Sequence, residues 1–333
     1  MFKRVISLFK ETFEEWSKDK ASRLAAALSY YTIFSIAPLL IIIIAVVGAI
    51  FGEEAARGAI EAQLRGLVGE QSAALIQGAI NSASQPQQGT IASIISVLVL
   101  LFGATGLFTE LQDSLNTIWE VQPKPGRAVK NMVRQRFLSF AMILGIGFLL
   151  LVSLVMTTLL SALIAHFENI LPGVHSIWQL VNFLVSFVVT TLLFGLIFKV
   201  LPDVKIAWSD VLIGASITSL LFSFGRYLLG QYLARATFNS TYGAAGSIVA
   251  ILFWVNYAAQ ILFFGAEFTQ VYARRYGTRI VPDKNAVPIT EEARLQQGMK
   301  PNNSKPTSRN NANWLNRLWR QLKPSKKNRR KNY

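Results

Sequence analysis

The chain has 333 residues, 52% of them hydrophobic and only 15% charged, yet 33 Lys+Arg against 18 Asp+Glu give it a net charge of +15. Soluble domains average about 25% charged residues, so these figures exclude an ordinary soluble enzyme and require basic charge to be held apart from apolar surface, as in a membrane protein. The lack of cysteine removes disulfides, thiolate metal sites and cysteine nucleophiles.

Residues 2–16 place Phe2, Val5, Ile6, Phe9, Phe13 and Trp16 on one helical face, with Lys3, Arg4 and Lys10 among the polar positions. This predicts an amphipathic helix, either lying on the inner leaflet or packed on the protein's own cytoplasmic face. The apolar run 26–51 follows and contains no Asp, Glu, Lys or Arg. Its length, and the charged stretch before it, read as a membrane span and not as a cleavable signal. Pro38 inside it removes a backbone donor and predicts a kink. The functional alternative is a discontinuous helix lining a cavity.

The connection 52–89 carries helical patterns, with Ile60, Leu64 and Leu67, then Leu75, Ile76 and Ile80, and ends in the polar stretch Ser84-Gln85-Pro86-Gln87-Gln88-Gly89. It predicts two short helices at the outer membrane surface, with interfacial packing favoured over capping of a cavity. A second run, 90–111, contains Glu110 as its one charge. The next connection holds Trp119, the rigid turn Pro123-Lys124-Pro125-Gly126, and Arg127, Lys130, Arg134 and Arg136. These cations read first as a topology signal that contacts anionic headgroups, with phosphate binding as the alternative.

Further runs cover 137–163, 177–201, 208–233 and 246–271. Backbone inside lipid must satisfy its own hydrogen bonds, so runs this long are helices and not barrel strands. His166 and His175 fall in or beside the short connection between the third and fourth runs and read as ordinary interface histidines. The small-residue segment Ser240 to Ser247 precedes the last span, where it allows close backbone approach or a broken entry to the helix.

From 282 to 312 the chain is polar, which predicts disorder. Trp314, Leu315, Leu318, Trp319 and Leu322 then alternate with Arg317, Arg320 and Lys323, and Lys326, Lys327, Arg329, Arg330 and Lys331 follow. A basic amphipathic helix near 314–323 with a polybasic end suits anionic lipid headgroups. RNA is the rival partner, because basic tails bind any polyanion.

The expected architecture is therefore all-α: a polytopic membrane protein of six transmembrane helices with amphipathic helices outside the spans. A cytoplasmic amphipathic helix covers 1–25, a membrane domain covers 26–277, and a basic, largely disordered cytoplasmic tail covers 278–333. With both termini inside, the cytoplasmic side holds 29 Lys/Arg and the outer side 4. From residue 272 onward the net charge is +13, so everything before it sums to only +2. The charge is mostly an appended tail plus a topology signal, and nucleic acid is not the expected partner of the core.

Polar groups inside spans are functional candidates because they are costly there. Glu110, Glu267 and Lys199 all fall towards the inner ends of their spans, where Tyr30 and Tyr31 enter the first. They are expected to form one polar cluster, either a structural ion pair with snorkelling side chains or a gate. Arg226 lies in the outer half of the fifth span and must face protein, water or a lipid phosphate. Asn182, Asn256 and Gln260 offer interhelical hydrogen bonds. There is no Walker A run and no His-Glu-x-x-His, so neither an ATP-driven pump nor a metal hydrolase is expected. No catalytic residue, metal or cofactor is expected.

Five ordered segments carry a resemblance. They are Ala-Leu-Ser-Tyr-Tyr-Thr-Ile-Phe-Ser-Ile-Ala-Pro-Leu at 27–39, Gly-Ala-Thr-Gly-Leu-Phe-Thr-Glu-Leu-Gln at 103–112, Leu-Pro-Asp at 201–203, Tyr-Gly-Ala-Ala-Gly-Ser at 242–247 and Phe-Gly-Ala-Glu-Phe-Thr at 264–269. On these the chain resembles the YihY/BrkB family of bacterial envelope proteins from about residue 10 to 277, with the basic tail outside the shared pattern. The resemblance implies a six-span inner-membrane protein tied to envelope integrity, serum resistance and, in some members, lipid or lipopolysaccharide export. It also brings a former ribonuclease label, now regarded as mistaken, and this sequence lacks the metal-ligand histidines that label needs. Tyr30, Pro38, Glu110, Tyr242 and Glu267 stand at its motif positions.

Two readings follow. In the first, the protein translocates a lipid or other amphiphilic anion without its own ATPase. Its candidate pathway or gate is Tyr30, Pro38, Glu110, Arg226, Tyr242, Asn256 and Glu267, with membrane lipids as partners. In the second, it is a scaffold supporting the envelope through its basic tail. RNA processing is the weakest reading, and a homo-oligomer is left open.

Overall fold

The computed structural model describes residues 2–83, 90–124, 137–138, 141–149, 152, 156, 175–235, 246–277, 280–297 and 299. Most of the third predicted span lies outside these residues, as do Arg127, Lys130, Arg134, Tyr242, Arg317, Arg320, Lys326 and Lys327.

Helix α1 (Phe2–Lys18) is amphipathic, and a sharp joint at Lys20 (φ 53°) turns the chain into α2 (Ala21–Phe51). Helix α2 starts before the apolar run because Ala21, Ala25 and Leu28 are buried against the body. Gly52 and Gly69, both at positive φ, end α2 and α3 (Glu53–Val68) respectively. Glycine adopts that conformation without steric cost. Helix α4 (Glu70–Ala83) follows, and the α3–α4 pair buries Ile60, Leu64, Val68, Ile76 and Ile80. These are the helices read from the 52–89 pattern.

Helix α5 (Thr90–Ile118) packs along α2. Helices α6 (His175–Val200), α7 (Trp208–Arg235) and α8 (Gly246–Arg275) complete the body, with α7 between α6 and α8 and with α8 also against α2. Four described helices are long and apolar enough to cross a membrane: Ala21–Phe51, Leu180–Val200, Trp208–Leu229 and Gly246–Arg275. Their outer faces are greasy, with Leu180, Phe183, Leu184 and Val188 on α6 and Phe224 and Leu228 on α7 exposed. A helix apolar on all sides is solvated by lipid.

Small residues set the helix contacts. Helices α7 and α8 run antiparallel, with Gly214 facing Thr269 and Gly265 facing Thr218. Each threonine hydroxyl donates to its own helix, Thr218 Oγ1 to the Gly214 carbonyl and Thr269 Oγ1 to the Gly265 carbonyl, both at 2.7 Å. The polar atom is thus satisfied locally while the side chain fills the neighbour's gap. On the other flank Pro38 packs on Gly103, and Ser35 Oγ donates to the Gly103 carbonyl at 2.6 Å. Pro38 is therefore part of the α2–α5 contact.

The ordered body runs past residue 278, where polar composition had placed the start of the tail. Strand β1 (Val121–Pro123) pairs antiparallel with β4 (Ala286–Pro288), and β2 (Val204–Lys205) pairs with β3 (Val281–Pro282). Lys124 Nζ donates to the Lys284 carbonyl at 2.7 Å. The first compact unit ends at Ile289; in the second, which starts at Thr290, helix α9 (Glu291–Gln296) is capped by Thr290 Oγ1, which accepts from Ala293 N at 3.2 Å. This is the oxygen-to-orphan-donor bond that starts a helix.

Candidate functional site

A cavity of about 420 Å³ lies inside the first unit, lined by residues of α2, α3, α5, α6, α7, α8 and the helical segment 141–149. Its wall includes Gln63, Ser186 and Arg226, with Thr190 one turn along α6 from Ser186. The rest of the wall is apolar, with Phe108, Leu111, Phe194, Ile197, Phe222 and Leu262 among its members. On α6 the lining runs from Ser186 to Ile197, about 16 Å at 1.5 Å per residue. Among the described residues lining it, Arg226 is the one that is charged. Arg226 and Ser186 are also exposed, so the polar end opens to the surface of the bundle. Trp254 lines the cavity at mid-helix and meets the Phe222 ring edge-on, 6.3 Å between centroids.

The polarity gradient fits an amphiphile, with apolar walls for a chain and a guanidinium at the mouth for an anion. Guanidinium is permanently charged and binds carboxylate or phosphate with paired donors. Helix α3 contributes both Gln63 and Leu67. Helix α3 thus closes part of a cavity, the role set second to interfacial packing in the sequence reading.

Of the sequence candidates, Arg226 alone lines this cavity. Tyr30 is 61% exposed and contacts the Tyr31 and Phe34 rings, forming an aromatic patch on α2. Asn256 is half-buried on α8, between the cavity residues Trp254 and Ala258. Glu267 is fully buried on α8. Lys199 is engaged locally, donating to the Ile206 carbonyl and lying 5.7 Å from the centre of the Trp208 ring. His175 begins α6, and His166 lies outside the described residues.

Sequence reasoning missed a second polar centre, at the end of the bundle that carries α1. Asn116 Nδ2 donates to Asp203 Oδ2 at 3.1 Å, and Asp203 N donates back to Asn116 Oδ1 at 2.8 Å. Gln112 Nε2 adds a longer bond to the same carboxylate at 3.4 Å. The Leu-Pro-Asp segment is thus fastened to the last turns of α5. Gln270 Nε2, donating to the Ile118 carbonyl at 2.8 Å, fastens α8 to the same place. Asp113, beyond the predicted span, keeps solvent access, yet its carboxyl is pushed from 3.8 up to about 6. Crowding by protein is the main cause, followed by the negative charges of Glu110 and Asp203. The signal for this centre was the Leu-Pro-Asp motif itself, whose partner cannot be read from spacing. Among the described residues no cluster of His, Cys, Asp and Glu could hold a metal ion.

Helix α1 packs on the protein and still leaves an apolar strip outside. Leu8 is buried with Phe268 and Val271, and Phe9 stacks near Phe264 and Phe268. Arg274 pairs with Glu11 at 2.5 Å and with Glu15 at 3.3 Å, and Arg275 also pairs with Glu11. Val5, Ile6 and Phe13 remain exposed.

Long apolar helices with apolar outer faces define a helical integral membrane protein. The chain belongs to the family described as Virulence factor BrkB, whose model matches residues 12–290. It is similar to membrane proteins named UPF0761. The one from Teredinibacter turnerae is 28% identical over 284 residues, which cover 83% of this chain and 63% of that relative. The Halorhodospira halophila protein is 29% identical over 257 residues, covering 76% of this chain and 54% of the relative. The Pseudomonas paraeruginosa protein is 27% identical over 252 residues, covering 74% and 58%. The chain thus spans between half and two thirds of the length of these curated relatives. No solved structure matches it.

Proposed function

We propose that the protein carries an amphiphilic anion, a lipid, between the leaflets of the bacterial inner membrane, without ATP hydrolysis and without catalysing a covalent change. In this reading six helices span the bilayer, and α1 and both termini lie on the cytoplasmic side, in keeping with the Lys/Arg asymmetry. The observation that carries it is Arg226, the one charge among the described residues of a cavity wall that is otherwise mostly apolar.

An arginine within a membrane helix is costly unless it meets water, protein or an anion. An anionic headgroup at the mouth offsets that cost through charge-assisted hydrogen bonds. An acyl chain in the cavity gains dispersion contacts along its apolar wall. Binding therefore draws on both ends of the ligand, and a ligand with only one of them binds weakly.

The test is transbilayer movement of labelled phospholipid in liposomes containing the purified protein. Accelerated movement is expected with the native chain and a large loss with Arg226→Gln. Native protein that moves no lipid of any headgroup tried would sink the transport reading and favour the scaffold. A chain ending after Met299 separates the two further: transport persists without the tail, whereas scaffolding through the tail does not.

A further inference from the structure

We infer that the cavity binds one acyl chain of an anionic phospholipid, with the headgroup phosphate on Arg226 and Gln63 and the second chain left in the bilayer. This rests on the transport reading only for its purpose; the binding stands or falls by itself. Three observations carry it.

The first is volume. An apolar cavity of about 150 Å³ accommodates one benzene, six carbons. By proportion, the 420 Å³ here holds about 17 carbons, one long acyl chain and not two. The second is the order of polarity along the wall. Along α6 the wall passes from Ser186 and Thr190 to Leu193, Phe194 and Ile197, and Gln63 and Arg226 are its other polar members. Among the described residues lining it, a chain meets no charge besides Arg226. The third is the position of the mouth. Arg226 and Ser186 are exposed on α7 and α6, beside the bare apolar residues Leu184, Val188 and Phe224. The opening therefore faces the flank of the bundle, where a two-chain lipid can leave one chain outside.

A single-chain fatty acid would satisfy the walls and, like a phosphodiester, carries one charge on two oxygens, but it lacks the two further ester oxygens and the second chain that stays in the bilayer. A phosphodiester can span both the guanidinium and the Gln63 amide. Free inorganic phosphate gains nothing from the apolar wall and is not expected to compete.

Trp254 in the wall supplies the readout. The full-length protein is placed in phosphatidylcholine nanodiscs with increasing fractions of phosphatidylglycerol brominated in mid-chain, and Trp254→Phe identifies the emission due to Trp254. Saturable quenching of Trp254 is expected at a several-fold lower fraction of brominated phosphatidylglycerol than of brominated phosphatidylcholine. Arg226→Gln abolishes that preference and Arg226→Lys keeps part of it. Ala259→Phe, which fills the cavity, removes the quenching, and melting curves confirm that each variant is folded.

Quenching that is unsaturable, or equal for the two headgroups in the native chain, overturns the proposal. So does a preference that survives Arg226→Gln, or competition by millimolar inorganic phosphate. Binding without transbilayer movement would remove the transport reading and leave this site intact. Movement without Trp254 quenching would do the reverse.

Discussion

Thr269 occupies the place that a side chain at Gly214 would need, and Thr218 stands in the same relation to Gly265. The two helices are therefore locked by a doubled glycine–threonine exchange, in which neither threonine leaves its hydroxyl unbonded. Lipid supplies no hydrophobic drive between helices, so close packing of small residues supplies much of the attraction. The Phe-Gly-Ala-Glu-Phe-Thr segment holds one half of this exchange.

Gly214→Ala is expected to destabilise the protein by about 1–3 kcal/mol, the range for overpacking a filled core. Thr269→Gly removes the obstructing side chain, so the double variant should lose less than the two single variants together. Melting curves of the four proteins in one detergent form the cycle. Strict additivity would show that the two sites do not meet.

The α2–α5 contact makes a graded prediction. Ser35→Ala removes one interhelical hydrogen bond and should cost about 0.6 kcal/mol, the average for such bonds in membrane helices. Gly103→Val should cost more, about 1–3 kcal/mol, because a Cβ there falls 2.9 Å from the Pro38 ring. Urea or SDS unfolding that ranks them the other way would contradict the geometry.

Asn116→Ala should be among the more damaging polar substitutions. It removes two hydrogen bonds from the buried Asp203, one to the carboxylate and one from the backbone N–H, and a hydrogen bond to a charged group contributes about 1.5–3 kcal/mol. Faster proteolysis of the 201–206 turn, alongside a lower melting temperature, is the expected result.

Asp113 gives a pH signature. Its folded pKa of about 6 lies above the ordinary 3.8, so the folded state holds this proton more tightly than the unfolded one. Stability from this group is present at low pH and falls as pH rises through that window. Asp113→Asn removes the dependence. Its melting temperature relative to the native protein should rise between about pH 4 and pH 6 and level off above. A gap that shrinks with rising pH would refute the assignment.

The apolar runs made the long helices legible, because length and lack of charge suffice to identify them. The α3–α4 pair followed from helical periodicity and from the glycines that punctuate 52–89, whereas nothing in the sequence marked the joint at Lys20. The strands did not. Two- and three-residue segments have no period, and Pro123, Pro282 and Pro288 argue against a strand in any reading by composition. Residues 281–288 thus looked like the start of a tail, although their backbone bonds hold them to the body. Arg226 was legible as a costly charge in a span. The cavity behind it was not, because seven segments build its wall and no local pattern records which of them meet.

Lys124 and Lys284 stand 160 residues apart in sequence, yet touch. The chain between them, including α6, α7 and α8, is therefore a loop fastened at both ends. That knot can be tied only after every intervening helix has been made and inserted, because its second strand comes last off the ribosome. Helices enter the bilayer one by one, and their mutual fit follows. A chain broken off before Pro288 would place its helices in the membrane with the knot untied and the edge of Val121–Pro123 bare.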